Sequence, residues 1–193
     1  VSVEGAEDDA PQAAQDLHRL GPNESDVVIC VAASGSTPYV LGAIQHARMC
    51  GALTIGIANN PGSAVAALAE IGITLATGAE VISGSTRLKA GTAQKIALNT
   101  FSSAVMVRLH KVFGNLMVDL RASNTKLIAR AERLTMLATG CSVEQARETL
   151  AQCGWHIKTA IVAIERGIDV SSADRLLDAA DGDTWAALDR HHP

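Results

Sequence analysis

The sequence predicts an α/β protein, a parallel sheet flanked by helices and followed by a small unit of three helices. Three observations carry this. Residues 27–32, VVICVA, form a continuous apolar run bounded by turn residues, as in a strand buried on both faces. Runs of that kind alternate with helix-period segments through tight connections, which makes the sheet parallel with right-handed crossovers. After Gly140 the pattern changes to short helical segments separated by Gly154 and Gly167.

Residues 1–9, VSVEGAEDD, are acidic and read as a solvated helix start or a fraying terminus. Residues 11–20 read as a helix that Gly21-Pro22 stops. The strand over 27–32 runs into Ala33-Ser34-Gly35-Ser36-Thr37-Pro38. Pro38 suits a first helical turn, where its missing N–H costs nothing. The helix should continue to residue 50, with Val40, Ala43, Ile44 and Ala47 on one face and Gly51 as its end signal. Residues 53–58, LTIGIA, form a second strand. Asn59-Asn60-Pro61-Gly62-Ser63 then turns the chain, with Ser63 placed to cap a helix over 64–70. Residues 71–76 form a third strand, weakened by Gly72. A hydroxyl-rich loop, Ser83-Gly84-Ser85-Thr86, precedes a long helix starting near Arg87 or Lys89.

Residues 123–139 read as an amphipathic helix, and Ser142 with Gln145 makes a capping box. Helices over 143–152, 156–166 and 172–180 should share Ala146, Leu150, Ile157, Ile161, Ile164, Leu176 and Leu177 as a core. That core is too small to be very stable alone and is expected to dock on the main domain. Residues 181–193 read as a polar, partly disordered tail. The expected organisation is therefore a main domain over 1–140, a helical domain over 141–180 and a tail over 181–193.

Composition narrows the function. The 193 residues are 48% hydrophobic but 3% aromatic, so the core is built from Ala, Val, Ile and Leu. Sixteen basic against 20 acidic residues, with no basic cluster interleaved with aromatics, argue against a nucleic-acid partner. Polar residues interrupt the longest apolar stretches, so neither a membrane span nor a signal peptide is expected. Cys30, Cys50, Cys141 and Cys153 form no CxxC pair and read as reduced thiols of a cytoplasmic protein. The six histidines lack metal-ligand spacing, so no metal is expected. A chain that begins at Val1 rather than Met is expected to have further residues in front.

The candidate site lies at the carboxyl ends of the strands, where ligands bind in such sheets. Ser34, Gly35, Ser36 and Thr37 place hydroxyls and backbone N–H groups at a helix N-terminus, an arrangement suited to a phosphate monoester. An ordinary capped helix after a buried strand explains the same residues. Glu80 falls at the same mouth, where a carboxylate serves as a proton-transfer base, binds sugar hydroxyls, or merely caps a neighbouring helix. Ser83, Ser85, Thr86 and Lys89 follow it as candidate ligand contacts.

Taken together, VEGAED at 3–8, AASGSTPYV at 32–40, NNPGS at 59–63, GAEVISGSTRLKAGTAQK at 78–95 and GNLMVDL at 114–120 resemble the N-acetylmuramic acid 6-phosphate etherases. ATGCS at 138–142 and the helices after it fit the same family, so the resemblance covers nearly the whole chain. It implies a SIS (sugar isomerase) fold, a flavodoxin-like three-layer α/β sheet, with a three-helix, UBA-like C-terminal domain. It further implies a cytoplasmic homodimer that binds a phosphorylated amino sugar and needs no cofactor. The implied reaction is a lyase reaction of cell-wall recycling and amino sugar metabolism. It cleaves the D-lactyl ether of N-acetylmuramic acid 6-phosphate to N-acetylglucosamine 6-phosphate and D-lactate.

By this resemblance Glu7 matches one of two catalytic glutamates, and Ser34, Ser36 and Thr37 match a phosphosugar loop. Glu80 matches the catalytic glutamate of related SIS-fold isomerases and is expected to contact substrate here. Two departures follow. Family members usually carry Arg at the position of Ser36, so a charge-assisted contact is lost. The family's N-terminal third, with the first strand and the second catalytic Glu in an Ala-Ser-Glu motif, has no counterpart in the 193 residues. The sequence therefore reads as a fragment or a natural truncation that is inactive by itself. The competing readings are a non-catalytic phosphosugar-binding regulator and an aldose–ketose isomerase using Glu80.

Overall fold

The computed structural model describes residues 5–120, 122 and 124–191. Val3 and Glu4 of the acidic motif, Ser123 at the expected start of a helix, and His192 and Pro193 of the tail lie outside the described residues. The chain divides into two compact units, 1–100 and 101–193. The expected helical domain at 141–180 lies inside a unit that begins forty residues earlier.

In the first unit, a 3₁₀ turn over Ala6–Asp8 leads to helix α1, Ala10–His18, which Asp9 caps by accepting from the Gln12 N–H. Strand β1, Val27–Ala32, helix α2, Pro38–Met49, strand β2, Leu53–Ala58, helix α3, Ala64–Leu68, and strand β3, Ile71–Thr74, follow. The sheet is parallel in the order β1-β2-β3, with Val27 opposite Leu53 and Ile55 opposite Ile71. Cys30, Ala32, Ile44, Val65 and Ala69 form the core under α2 and α3. Helix α4, Lys89–Arg108, comes next.

Glycines let these layers approach. A Cβ at Gly56 would lie 2.3 Å from the Val65 carbonyl oxygen, and one at Gly72 would lie 2.2 Å from that of Ala66. Gly72 is therefore not a flaw in β3; it is what lets α3 lie on that strand. Gly56→Ala should force α3 off the sheet and destabilise this unit by about 1–3 kcal/mol, the usual cost of overpacking. Denaturant unfolding of the variant measures it.

In the second unit, a hairpin of β4, Val112–Phe113, and β5, Leu116–Met117, precedes helix α5, Thr125–Thr139, which Asn124 caps. Helices α6, Val143–Gln152, α7, Ile157–Arg166, and α8, Val170–Ala179, complete it with a short α9, Thr184–Ala187. The last three long helices do not keep a private core. Leu150, Ile157, Ile161 and Leu177 share one cluster with Phe113, Val118, Ala131 and Leu134 from the hairpin, the segment after it and α5.

The tail needs correction. Residues 184–188 fold onto this core: Ala187 and Leu188 are buried, and Trp185 stacks on Phe113 with ring centroids 4.2 Å apart. Two apolar residues and a tryptophan among polar ones suffice to anchor so short a helix, and the polar average of the segment conceals them. The four cysteines are free, and burial pushes the thiols of Cys30 and Cys153 up, the latter to about 11. No helix among the described residues is long and apolar enough to cross a membrane.

Candidate functional site

The strand ends of the first unit are tied together by side chains. Asn59, 5% exposed, donates to the Leu75 carbonyl at 3.1 Å and accepts from Gln94 Nε2 at 2.8 Å. Asn60 donates to the Ser34 carbonyl at 3.1 Å. These bonds hold the loops after β1, β2 and β3, with α4, in fixed register.

The β1–α2 loop is shaped by Gly35, whose φ is +74°. A Cβ there would lie 2.2 Å from that of Ser63, and its carbonyl accepts from the Val65 N–H at 2.9 Å. The glycine thus seats the loop on the β2–α3 turn rather than opening the backbone to a ligand. Ser36 donates through its N–H and its hydroxyl to Ser34 Oγ, each at 3.3 Å. Thr37 is the N-cap of α2 without a side-chain capping bond, so its hydroxyl is not used to close the helix. The first intrahelical bond runs from the Leu41 N–H to Thr37 O, which leaves the N–H groups of Tyr39 and Val40 at the open end.

A cavity of about 700 Å³ opens beside this loop. Its wall includes Glu7, Ser34, Thr37, Gly84 and Thr86, so the acidic turn before α1, the β1–α2 loop and the loop before α4 meet in one place. Gln12, Asp16 and Tyr39 line it as well. Of the residues expected from the sequence, Ser36, Glu80, Ser83, Ser85 and Lys89 are not among those lining it, and Gly35 is buried beneath the loop.

Glu80 has a different job. Its two carboxylate oxygens accept the main-chain N–H groups of Lys89 and Ala90, each at 2.9 Å, and so close the first turn of α4. These bonds, Ala90 first, hold its carboxyl below the usual glutamate range. Of the roles open to Glu80 from sequence, the structure shows the helix cap, each oxygen accepting one main-chain N–H. A depressed carboxylate stabilises the fold above its unfolded pKa and loses that contribution as pH falls through the folded value. Glu80→Gln should therefore be less stable than the wild type at pH 7. The gap should close as the pH drops below about 4, the ordinary glutamate range. Denaturation at pH 7 and pH 3 tests the sign.

Sequence reasoning missed Gln12, Asp16 and Tyr39. Asp16 accepts from Gln12 Nε2 at 2.8 Å, Arg19 at 3.0 Å and the Tyr39 hydroxyl at 3.0 Å. The available signal was the spacing of Gln12 and Asp16, four apart on one face of α1 while Ala13 is buried.

A parallel sheet with a hydroxyl-rich loop at its carboxyl edge defines a class, and residues 9–104 match the SIS domain family. Over nearly its whole length, the chain is 54% identical over 181 residues to an N-acetylmuramic acid 6-phosphate etherase of Deinococcus radiodurans, covering 94% of this chain and 59% of that protein. Etherases of the same name from Streptomyces avermitilis and Escherichia coli are 51% and 48% identical, covering 97% and 98% of this chain and 60% and 63% of theirs. The chain spans about three-fifths of the length of these relatives.

Proposed function

We propose that this chain contributes to a carbon–oxygen lyase that cleaves the lactyl ether of N-acetylmuramic acid 6-phosphate. The observation that carries this reading is the cavity that brings Glu7 to the Ser34–Thr37 loop at the carboxyl edge of the sheet. The phosphate would take the Ser34 and Thr37 hydroxyls and the N–H groups of Tyr39 and Val40, where donors and the helix dipole favour an anion. Ser36 donates to Ser34 Oγ.

With the sugar ring open, the C1 aldehyde acidifies the proton on C2. Glu7 and a second carboxyl group would divide the acid–base work: one takes the C2 proton, the other protonates the lactate oxygen as it leaves C3. Water then adds across the C2–C3 double bond, its hydroxyl to C3 and its proton to C2, giving N-acetylglucosamine 6-phosphate and D-lactate. No oxidant is consumed, and an acid and a base with separated pKa values suffice. In this reading the second carboxyl group lies in the part of the family sequence outside these 193 residues, so the chain by itself turns over little substrate. A cytoplasmic homodimer and a UBA-like character for the α6–α8 helices belong to the same proposal.

The experiment is D-lactate release from N-acetylmuramic acid 6-phosphate by the chain, with and without the N-terminal part of a relative supplied in trans. Release only with that part supports the assignment. Full activity of the chain alone would show that the acid–base pair has been misplaced.

A further inference from the structure

Part of the cavity wall, formed by Gln12, Asp16 and Tyr39, is suited to receive hydrogen-bond donors. Asp16, as a carboxylate, can only accept. Its three neighbours must therefore turn donors toward it: Arg19 its guanidinium, Gln12 its amide NH₂, and Tyr39 its hydroxyl proton. That fixes what remains. With one Nε2 proton on Asp16, Gln12 keeps its amide oxygen as an acceptor beside its second N–H. With its proton on Asp16, the Tyr39 oxygen keeps its lone pairs. The hydrogen bond to Asp16 also holds the Tyr39 hydroxyl above the usual tyrosine range, so the oxygen stays neutral. Gln12, Asp16 and Tyr39 all line the cavity that holds Glu7.

Two sets of cavity-lining groups thus differ in hydrogen-bonding character. The β1–α2 loop offers the Ser34 and Thr37 hydroxyls and main-chain N–H groups, whereas Asp16 and Gln12 on α1 and Tyr39 on α2 offer a carboxylate and two acceptor oxygens. An anion is drawn to the first and repelled from the second.

We infer that Tyr39 and Gln12, held by Asp16, form a specificity subsite that accepts hydrogen bonds from an O–H or N–H group on the sugar ring while the phosphate occupies the β1–α2 loop. This deepens the phosphosugar reading and rests on it. The subsite fixes which way round the sugar enters, because a molecule with a phosphate at one end and donors at the other fits in one orientation.

Calorimetric titration of the 193-residue chain tests it, using N-acetylglucosamine 6-phosphate, 2-deoxyglucose 6-phosphate and inorganic phosphate. Tyr39→Phe removes one oxygen and keeps the ring; Gln12→Leu is the second variant, and circular dichroism checks that each remains folded. Each variant should weaken N-acetylglucosamine 6-phosphate by about 3- to 10-fold, the worth of one hydrogen bond, and leave inorganic phosphate unchanged. Loss confined to N-acetylglucosamine 6-phosphate assigns the donor to the sugar's C2 substituent. Equal loss with the 2-deoxy sugar assigns it to another ring hydroxyl. Unchanged sugar affinity in both variants, or an equal loss for inorganic phosphate, overturns the subsite. A wild-type chain that binds no sugar phosphate overturns the phosphosugar reading itself.

Discussion

Glu7→Gln is expected to lower D-lactate release from N-acetylmuramic acid 6-phosphate by about 10²–10⁴-fold, the contribution of one general acid–base group. The measurement uses the chain supplied with the N-terminal part of a relative. The variant keeps the size and shape of the side chain and removes its ability to exchange a proton. Glu7 is exposed in a 3₁₀ turn that buries no residue, so the change has little to disturb in the fold. Binding of N-acetylglucosamine 6-phosphate should survive, which separates a lost proton transfer from a lost site. Glu80→Gln in the same assay should retain most activity, since Glu80 caps α4 and does not line the cavity. The reverse pattern, with Glu80 essential and Glu7 dispensable, would move the chemistry to the loop before α4.

The second large effect is on stability. Ile161 is fully buried at the centre of the second unit's core. Ile161→Ala should cost about 2–5 kcal/mol, the transfer of its lost methyl groups plus the cavity they leave. Both tryptophans, Trp155 and Trp185, pack against this core, so their fluorescence reports this unit alone. A large fall in the denaturation midpoint by fluorescence is the expected result. A shift within about 0.5 kcal/mol, as for a surface substitution, would mean that this core does not hold the unit together.

Much of this architecture was legible because local signals agreed. The apolar runs of β1 and β2, the Ser63 and Ser142 caps and the glycines after α5 and α7 place those elements within a residue or two of where they lie. What sequence could not give was tertiary. Gly72 reads as a weak strand residue until α3 is seen to lie against it. Glu80 reads equally as a base, a sugar contact or a helix cap until the chain brings Lys89 and Ala90 to it. The two-residue strands of the β4–β5 hairpin are too short for an alternation pattern to register, and α9 is anchored by only a few side chains. At the site, motif residues point to the β1–α2 loop. The Tyr39 bond to Asp16 joins positions 23 apart, which no local pattern reveals.

The central claim is that the cavity beside Ser34 and Thr37 holds the phosphate of a sugar. Its most direct test is a pair of titrations of the chain, one with N-acetylglucosamine 6-phosphate and one with N-acetylglucosamine. Hydrogen bonds to a charged group are worth about 1.5–3 kcal/mol each, so the phosphorylated sugar should bind at least about tenfold more tightly. Ser34→Ala/Thr37→Ala should erase most of that difference. Indistinguishable curves for the two sugars would contradict the account.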